Sequence, residues 1–301
     1  MSDIIQRIAG RIERTITSIL AAQGRALIPV LFSFLLSGCT GIVFQPMETL
    51  VRTPDEIGID YEDVYFQSRD GTRLHGWWLP AEGKAQGTVL QLHGNAENIS
   101  THIGSVYWLP KRGFNVLLFD YRGYGLSGGK PSLAGAVMDV ESAINWLLAQ
   151  NTKDRNNIVV LGQSLGGALG TYAIATSGLS TKIKALVLDS SFDDYRDVAR
   201  EIFGKIWLTW PFQYPLSWTI DDDYAPVRVI KRISPTPILI IHSKQDPIIP
   251  AQHARRLFEA AAEPKTLWML PDGPHISALF RPEIRDKLVI YMTNTINMHH
   301  E

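Results

Sequence analysis

The stretch that decides the fold is NIVVLGQSLGGALG, residues 157–170. Its first half is an apolar run, which predicts a buried strand, and the small residues after it predict a tight turn into a helix. Gly162, Ser164 and Gly166 form a GxSxG pattern across that turn. Small residues on both sides let the strand and the helix approach closely, so Ser164 is the candidate nucleophile. The alternative is a glycine turn that merely carries an exposed serine.

Similar apolar runs recur from Tyr61 onward. The first two, YEDVYFQS and RLHGWWL, flank the turn residues Asp70 and Gly71 and predict an antiparallel hairpin. The later runs are almost continuously apolar and alternate with helical patterns, which is typical of parallel strands covered on both faces. This order predicts an α/β fold with a mostly parallel, doubly wound sheet. The later runs end at His93, Tyr121, Gln163, Ser190, Ser243 and Pro271.

A serine hydroxyl is a poor nucleophile until a base removes its proton, so the chemistry requires a histidine near the predicted ligand edge. In a doubly wound sheet that edge is formed by the carboxyl ends of the strands. His275 lies in PDGPH directly after the last predicted strand and is the candidate base. His242 and His253 are expected inside a strand and a helix, where they serve structure.

The next candidate is a carboxylate that holds the imidazole in one tautomer. Asp246 lies in SKQDPIIP after the seventh predicted strand, which gives the chain order serine, aspartate, histidine. Asp189, which follows the strand before it, is the alternative acid. For either residue, a plain turn or helix-capping role remains open.

Acyl transfer also needs donors for the negative charge that develops on the substrate oxygen, and backbone N–H groups supply them without reorganising. Leu165, the residue after the candidate nucleophile, provides the first. Asn95, in the HGNAEN segment after the strand ending at His93, is our choice for the second.

Together these motifs resemble those of bacterial α/β-hydrolase esterases and lysophospholipases, and they are also similar to prolyl-oligopeptidase-like domains. The resemblance covers roughly residues 61–297 and includes DYRGYGLSGG at residues 120–129. It implies an α/β-hydrolase fold. The sequence contains no metal cluster, phosphate loop or nucleotide motif, so no cofactor and no metal are predicted. The chain departs from many esterases in HGNAEN, where they carry HGGG.

An insertion at residues 193–234 is too long for a plain connection and contains WLTWPFQYPLSW. We expect it to form a short helical cap. Trp207, Trp210 and Phe212 are predicted to contact an apolar acyl group there. The alternative is a helix that packs its aromatic residues on the sheet.

Residues 1–39 predict a signal or anchor segment for the cell envelope. A cationic leader and an apolar run at residues 26–36 precede LSGC, which ends at Cys39. LSGC resembles the lipobox of bacterial lipoproteins, which implies lipidation of Cys39; with Thr40 next, it implies an outer-membrane lipoprotein facing the periplasm. The alternatives are an uncleaved inner-membrane anchor, since uncharged sequence continues to Phe44, and a soluble protein. Residues 40–60 are expected to be a linker before the body at residues 61–297.

The charge balance excludes one class of partner. Lys and Arg total 29 against 30 Asp and Glu, so no basic excess exists to neutralise nucleic acid. The leading hypothesis is an enzyme that cleaves small-molecule or lipid esters, of esterase, lysophospholipase or thioesterase type, through an acyl-enzyme. The alternatives are a serine peptidase of prolyl-oligopeptidase-like type and a binding protein that kept the fold without the chemistry.

Overall fold

A central sheet of eight strands organises the part of the chain that the structure describes, residues 43–150 and 156–298. In this computed structural model the strands are β1 (Glu62–Gln67), β2 (Arg73–Leu79), β3 (Gly87–Leu92), β4 (Phe114–Phe119), β5 (Ile158–Gln163), β6 (Ala185–Asp189), β7 (Ile238–Ser243) and β8 (Lys265–Leu270). Their order across the sheet is β8-β7-β6-β5-β3-β4-β2-β1. β2 pairs antiparallel with β1 and with β4, and the other pairs are parallel. The predicted mostly parallel sheet with an antiparallel hairpin is confirmed.

Helices cover both faces of this sheet. They are α1 (Ile99–His102), α2 (Leu133–Ala149), α3 (Leu165–Ser177), α4 (Tyr195–Lys205), α5 (Gln213–Ser217), α6 (Pro226–Val229), α7 (Gln252–Ala260) and α8 (Pro282–Asn297). On one face, Leu288 of α8 shares a core cluster with Val159 of β5. On the other face, Gly170 of α3 lies against Val160 and Leu92. Because both faces are covered, every residue of β3 to β7 is buried, which explains their continuous apolar sequence.

Residues 43–60, for which the sequence predicts a linker, pack against the body instead. Phe44 is buried, and its ring meets that of Tyr124 edge-on. Ile59 belongs to the main core cluster, and Gln45–Pro46 pairs in parallel with Ala96–Glu97. Removing these apolar side chains from water stabilises the packed arrangement, so the body begins earlier than residue 61.

The predicted signal or anchor segment, residues 1–39, is not part of the chain that the structure describes. Cys39 and Thr40 lie outside the described residues. Within residues 43–150 and 156–298, every helix is too short or too polar to cross a bilayer.

Candidate active site

Ser164 lies on a strained turn between β5 and α3. Its φ of 50° and ψ of −115° place it where a side chain is costly, and such strain is typical of functional positions. The turn requires glycine on both sides. A Cβ at Gly166 would lie 2.2 Å from the carbonyl oxygen of Leu92, and one at Gly162 would lie 2.5 Å from the Cα of Gly167. The GxSxG sequence therefore follows from the close approach of α3 to the sheet.

His275 and Asp246 form a hydrogen-bonded pair at the same edge of the sheet. Asp246 follows β7 and His275 follows β8, and the Nδ1 of His275 lies 2.7 Å from the Oδ2 of Asp246. Oδ1 of Asp246 accepts from the backbone N–H groups of Ile248 and Ile249 at 2.9 and 3.0 Å. Burial acts to raise the pKa of Asp246, but the hydrogen bond from His275 and the two amides outweigh it, so the pKa lies below its usual range. An ionised carboxylate keeps the proton on Nδ1 and leaves Nε2 as an acceptor.

Ser164 and His275 line one cavity of about 470 Å³. Within the described part of the chain, neither the Oγ of Ser164 nor the Nε2 of His275 has a hydrogen-bond partner. Asp246 lies behind the imidazole, largely shielded from solvent. The structure therefore brings the three predicted side chains to the carboxyl ends of β5, β7 and β8.

The alternative acid, Asp189, is engaged elsewhere. At the end of β6 its carboxylate accepts from Gln163 at 2.9 Å and from Ser190 at 3.2 Å. Burial raises the pKa of Asp189. The Oγ of Ser190 accepts from the N–H of Ile276 at 3.2 Å, so this chain of contacts holds the loop that carries His275. No motif in the sequence marks this role of Ser190.

The two predicted oxyanion donors also line the cavity. Leu165 is the first residue of α3, and Asn95 lies in the loop after β3. Among the described residues, no acceptor takes the N–H of either one. The Asn95 loop is fixed from two sides: the hydroxyl of Tyr124 donates to its carbonyl oxygen at 2.7 Å, and the N–H of Gln45 donates to its side-chain oxygen at 2.9 Å. Fixed, unsatisfied N–H groups are suited to stabilise a developing oxyanion.

A buried acid and imidazole support this loop from behind. Nδ1 of His93 donates to the carbonyl of Gly94 at 2.7 Å, so its Nε2 is an acceptor, 3.5 Å from the Oδ1 of Asp120. Burial lowers the pKa of His93 and raises the pKa of Asp120 to about 8. Oδ1 of Asp120 also accepts from the N–H of Ile99. Burial therefore disfavours the charged form of both groups, and the Nδ1 hydrogen bond of His93 holds the start of the loop.

The cavity wall differs from the predicted one. Tyr195, Ala199 and Ile202 of α4 line it, whereas Trp207, Trp210 and Phe212 do not. Those three side chains are 85%, 60% and 59% exposed. The reason is that apolar residues of α4 already line the cavity, whereas most of the residues that follow its end at Lys205 are exposed. This corrects the expectation that the three aromatic residues contact the acyl group.

Further residues of the cavity wall, which the sequence does not predict, come from distant parts of the chain. Val43 and Gln45 line the cavity from the segment expected to be a linker. His102 lines it from α1, where its Nε2 lies 3.1 Å from the carbonyl oxygen of Ala96. Burial lowers the pKa of His102, so its ring is neutral. Local patterns carry no signal for these residues, because only the tertiary fold brings them to the cavity.

Comparisons with known proteins agree on one fold. A family model of the alpha/beta hydrolase fold matches residues 87–215. The uncharacterized protein YfhR of Escherichia coli (strain K12) is 38% identical over 243 residues, 78% of this chain and 82% of that protein. The alpha/beta hydrolase domain-containing protein WAV2 of Arabidopsis thaliana is 32% identical over 236 residues, 74% of this chain and 75% of that protein. An esterase of Pyrococcus furiosus superposes with a TM-score of 0.66 at 26% identity, covering 84% of this chain and 97% of the esterase.

Proposed function

Because this chain belongs to the α/β-hydrolase family, we propose that it is a serine hydrolase that cleaves carboxylic esters. The fold and its esterase neighbours support esterase-type hydrolase activity. One observation carries the finer proposal: the 2.7 Å pair of His275 and Asp246 opens into the same apolar cavity as the strained Ser164. A base fixed by an ionised acid, in the same cavity as an unpartnered serine hydroxyl, supports general-base activation of that serine.

The proposed reaction has two halves. In the first, Nε2 of His275 takes the Oγ proton of Ser164 while Oγ attacks the ester carbonyl, and Asp246 stabilises the imidazolium. The N–H groups of Leu165 and Asn95 bind the oxyanion until the C–O bond breaks and the alcohol leaves with the proton from His275. In the second half, His275 deprotonates water, which attacks the acyl-enzyme. The acid leaves, and Ser164 regains its proton.

The walls of the cavity support esters of apolar acids as substrates. Phe192 and Ile249 line it together with the apolar residues of α4. An acyl chain in this cavity would leave water for apolar contact, at roughly 0.8 kcal/mol for each buried methylene. Polar side chains, including those of Ser164 and His275 where the carbonyl would lie, form the smaller part of the lining. This distribution favours the ester hypothesis over the peptidase alternative.

Ile202→Trp is expected to shift acyl preference toward short chains, because the larger side chain would fill part of the cavity beside α4. The ratio of kcat/KM for p-nitrophenyl octanoate to that for the acetate should fall by about tenfold to a hundredfold. The matched control is Trp207→Ala, whose side chain is exposed and outside the cavity, and it should leave the ratio unchanged.

Adding dipeptidyl amides to these p-nitrophenyl esters distinguishes esterase from peptidase activity. Faster turnover of an amide than of any ester by the wild type would favour the peptidase alternative. An unchanged ester ratio in Ile202→Trp would show that the acyl group binds somewhere other than this cavity.

We propose that the protein resides in the cell envelope, as an outer-membrane lipoprotein facing the periplasm. LSGC at residues 36–39 supports this placement, and an inner-membrane anchor is the alternative. Radiolabelled palmitate should enter the wild type and not Cys39→Ser. Equal labelling of both chains, or of neither, would rule out lipidation of Cys39.

A further inference from the structure

An apolar surface lies beside the cavity and takes no part in it. We call it the aromatic surface; its residues are Trp207, Leu208, Trp210, Phe212, Tyr214 and Trp218. Each of these side chains is more than half exposed, from 56% for Tyr214 to 85% for Trp207. The other five of the chain's eight tryptophans are buried or half-buried. A concentration of exposed apolar side chains is uncommon on soluble monomers and marks an interaction surface.

The composition of this surface suits a lipid bilayer. No charged residue occurs between Ile206 and Ile220. Tryptophan and tyrosine carry an apolar body and a polar tip, and both are enriched where a bilayer meets water. Protein-binding surfaces, in contrast, usually have charged and polar residues around their apolar centre. The uncharged, aromatic character of the whole segment therefore favours lipid as the partner.

The position of the aromatic surface links it to the cavity. Ile202 lines the cavity from α4, and Ile206 comes one helical turn later, about 6 Å along the axis. Nζ of Lys205 donates to the carbonyl of Pro247 at 2.6 Å, which connects the end of α4 to the loop after β7. That loop carries Ile248, which lines the cavity and is 48% exposed. A membrane in contact with the aromatic surface would thus lie close to the cavity opening.

The described part of the chain begins at the cavity. Val43, the first described residue, lines the cavity. Cys39 is four residues earlier, and four residues span at most about 14 Å. A lipid on Cys39, or an anchor that ends before Val43, would therefore attach the protein to the membrane within a short distance of the cavity.

We propose that the aromatic surface docks on a phospholipid bilayer and orients the cavity toward it. The docking does not depend on the hydrolase chemistry. Its consequence for catalysis does rest on the proposed function: the substrates are amphiphilic esters that reach Ser164 from the membrane. A water-soluble ester, which enters from solvent, gains nothing from the docking.

The test uses the full chain reconstituted in phosphatidylcholine vesicles, with and without bromine on the acyl chains near the headgroups. Bromine quenches tryptophan fluorescence on contact. The wild type should lose roughly a third of its emission, the share of the three exposed tryptophans among eight. Leu208→Glu places a carboxylate on the aromatic surface and should reduce this quenching at least about twofold. Ile290→Glu is the matched control, since Ile290 of α8 is 61% exposed against 65% for Leu208, and its quenching should equal that of the wild type.

Absent quenching in the wild type, or equal quenching in both glutamate variants and the wild type, would overturn the proposal. So would two other results. Blue-shifted emission that grows with protein concentration and resists bromine would indicate a second copy on the aromatic surface. The same shift independent of concentration would indicate that residues 1–42 cover the aromatic surface.

Hydrolysis of p-nitrophenyl acetate is measured in parallel. Leu208→Glu should keep the wild-type rate. An inactive wild type would count against the hydrolase proposal while leaving the docking result intact.

Discussion

Ser164→Ala is expected to lower kcat for p-nitrophenyl butyrate by about 10⁴- to 10⁶-fold, because it removes the atom that the proposed mechanism acylates. The backbone turn, the cavity and the pair of His275 and Asp246 do not depend on this hydroxyl, whose Oγ has no partner within the described residues. KM should therefore change much less than kcat. A fluorophosphonate probe should label the wild type at Ser164 and leave the variant unlabelled, as measured by mass spectrometry of the tryptic peptides.

Ser190→Ala provides the matched control. Ser190 is also buried and also has a positive φ, of 54°, but its hydroxyl binds the N–H of Ile276 instead of facing a substrate. Its loss loosens the loop of His275 and should cost no more than about tenfold in kcat. A Ser164→Ala protein with more than a tenth of wild-type activity would place the chemistry on another residue. A wild type that neither hydrolyses esters nor reacts with the probe would support the non-catalytic binding alternative.

The strands could be predicted because each carries its own signal. The six apolar runs end within two residues of the ends of strands β3 to β8. Every residue of β3 to β7 is buried, and burial on both faces demands continuous apolar sequence. The positions of Ser164, Asp246 and His275 could be predicted from the same rule, because parallel strands bring the residues after them to one edge of the sheet. Local sequence patterns therefore predict both the strands and the residues that directly follow them.

The cavity wall could not be predicted in the same way. Trp207 and its neighbours are aromatic, and such residues are usually buried, yet composition does not say which way a segment faces. Tyr195, Ala199 and Ile202 line the cavity at the i, i+4 and i+7 positions of α4, a spacing that the sequence does contain. The sequence contains no comparable signal that Val43 lines the cavity. Its position depends on pairing between segments some fifty residues apart, such as Gln45 with Ala96.

Asp246→Asn is expected to lower kcat by about 10⁴-fold, and the reason lies in the hydrogen bonds around the carboxylate. Oδ1 accepts from the N–H groups of Ile248 and Ile249, so in the variant the amide oxygen must occupy that position. The amide NH₂ then faces Nδ1 of His275, which can only accept from it. The imidazole proton moves to Nε2, and the ring can no longer take the proton from Ser164. Because the pKa of Asp246 lies below its usual range, the wild-type carboxylate is ionised throughout the neutral range, and the deficit should not vary with pH there.

Asp189→Asn separates this tautomer effect from a general loss of charge near the site. Asp189 is buried and accepts hydrogen bonds from Gln163 and Ser190, and an asparagine oxygen can keep one of them. We therefore expect a fall in kcat of no more than about tenfold, with the pH profile unchanged. If Asp189→Asn proved the more damaging change, the imidazole would have to turn toward β6 during turnover, and Asp189 would be the acid. If both variants kept near wild-type rates, no carboxylate would be orienting His275, and Ser164, His275 and Asp246 would not act together as a catalytic triad.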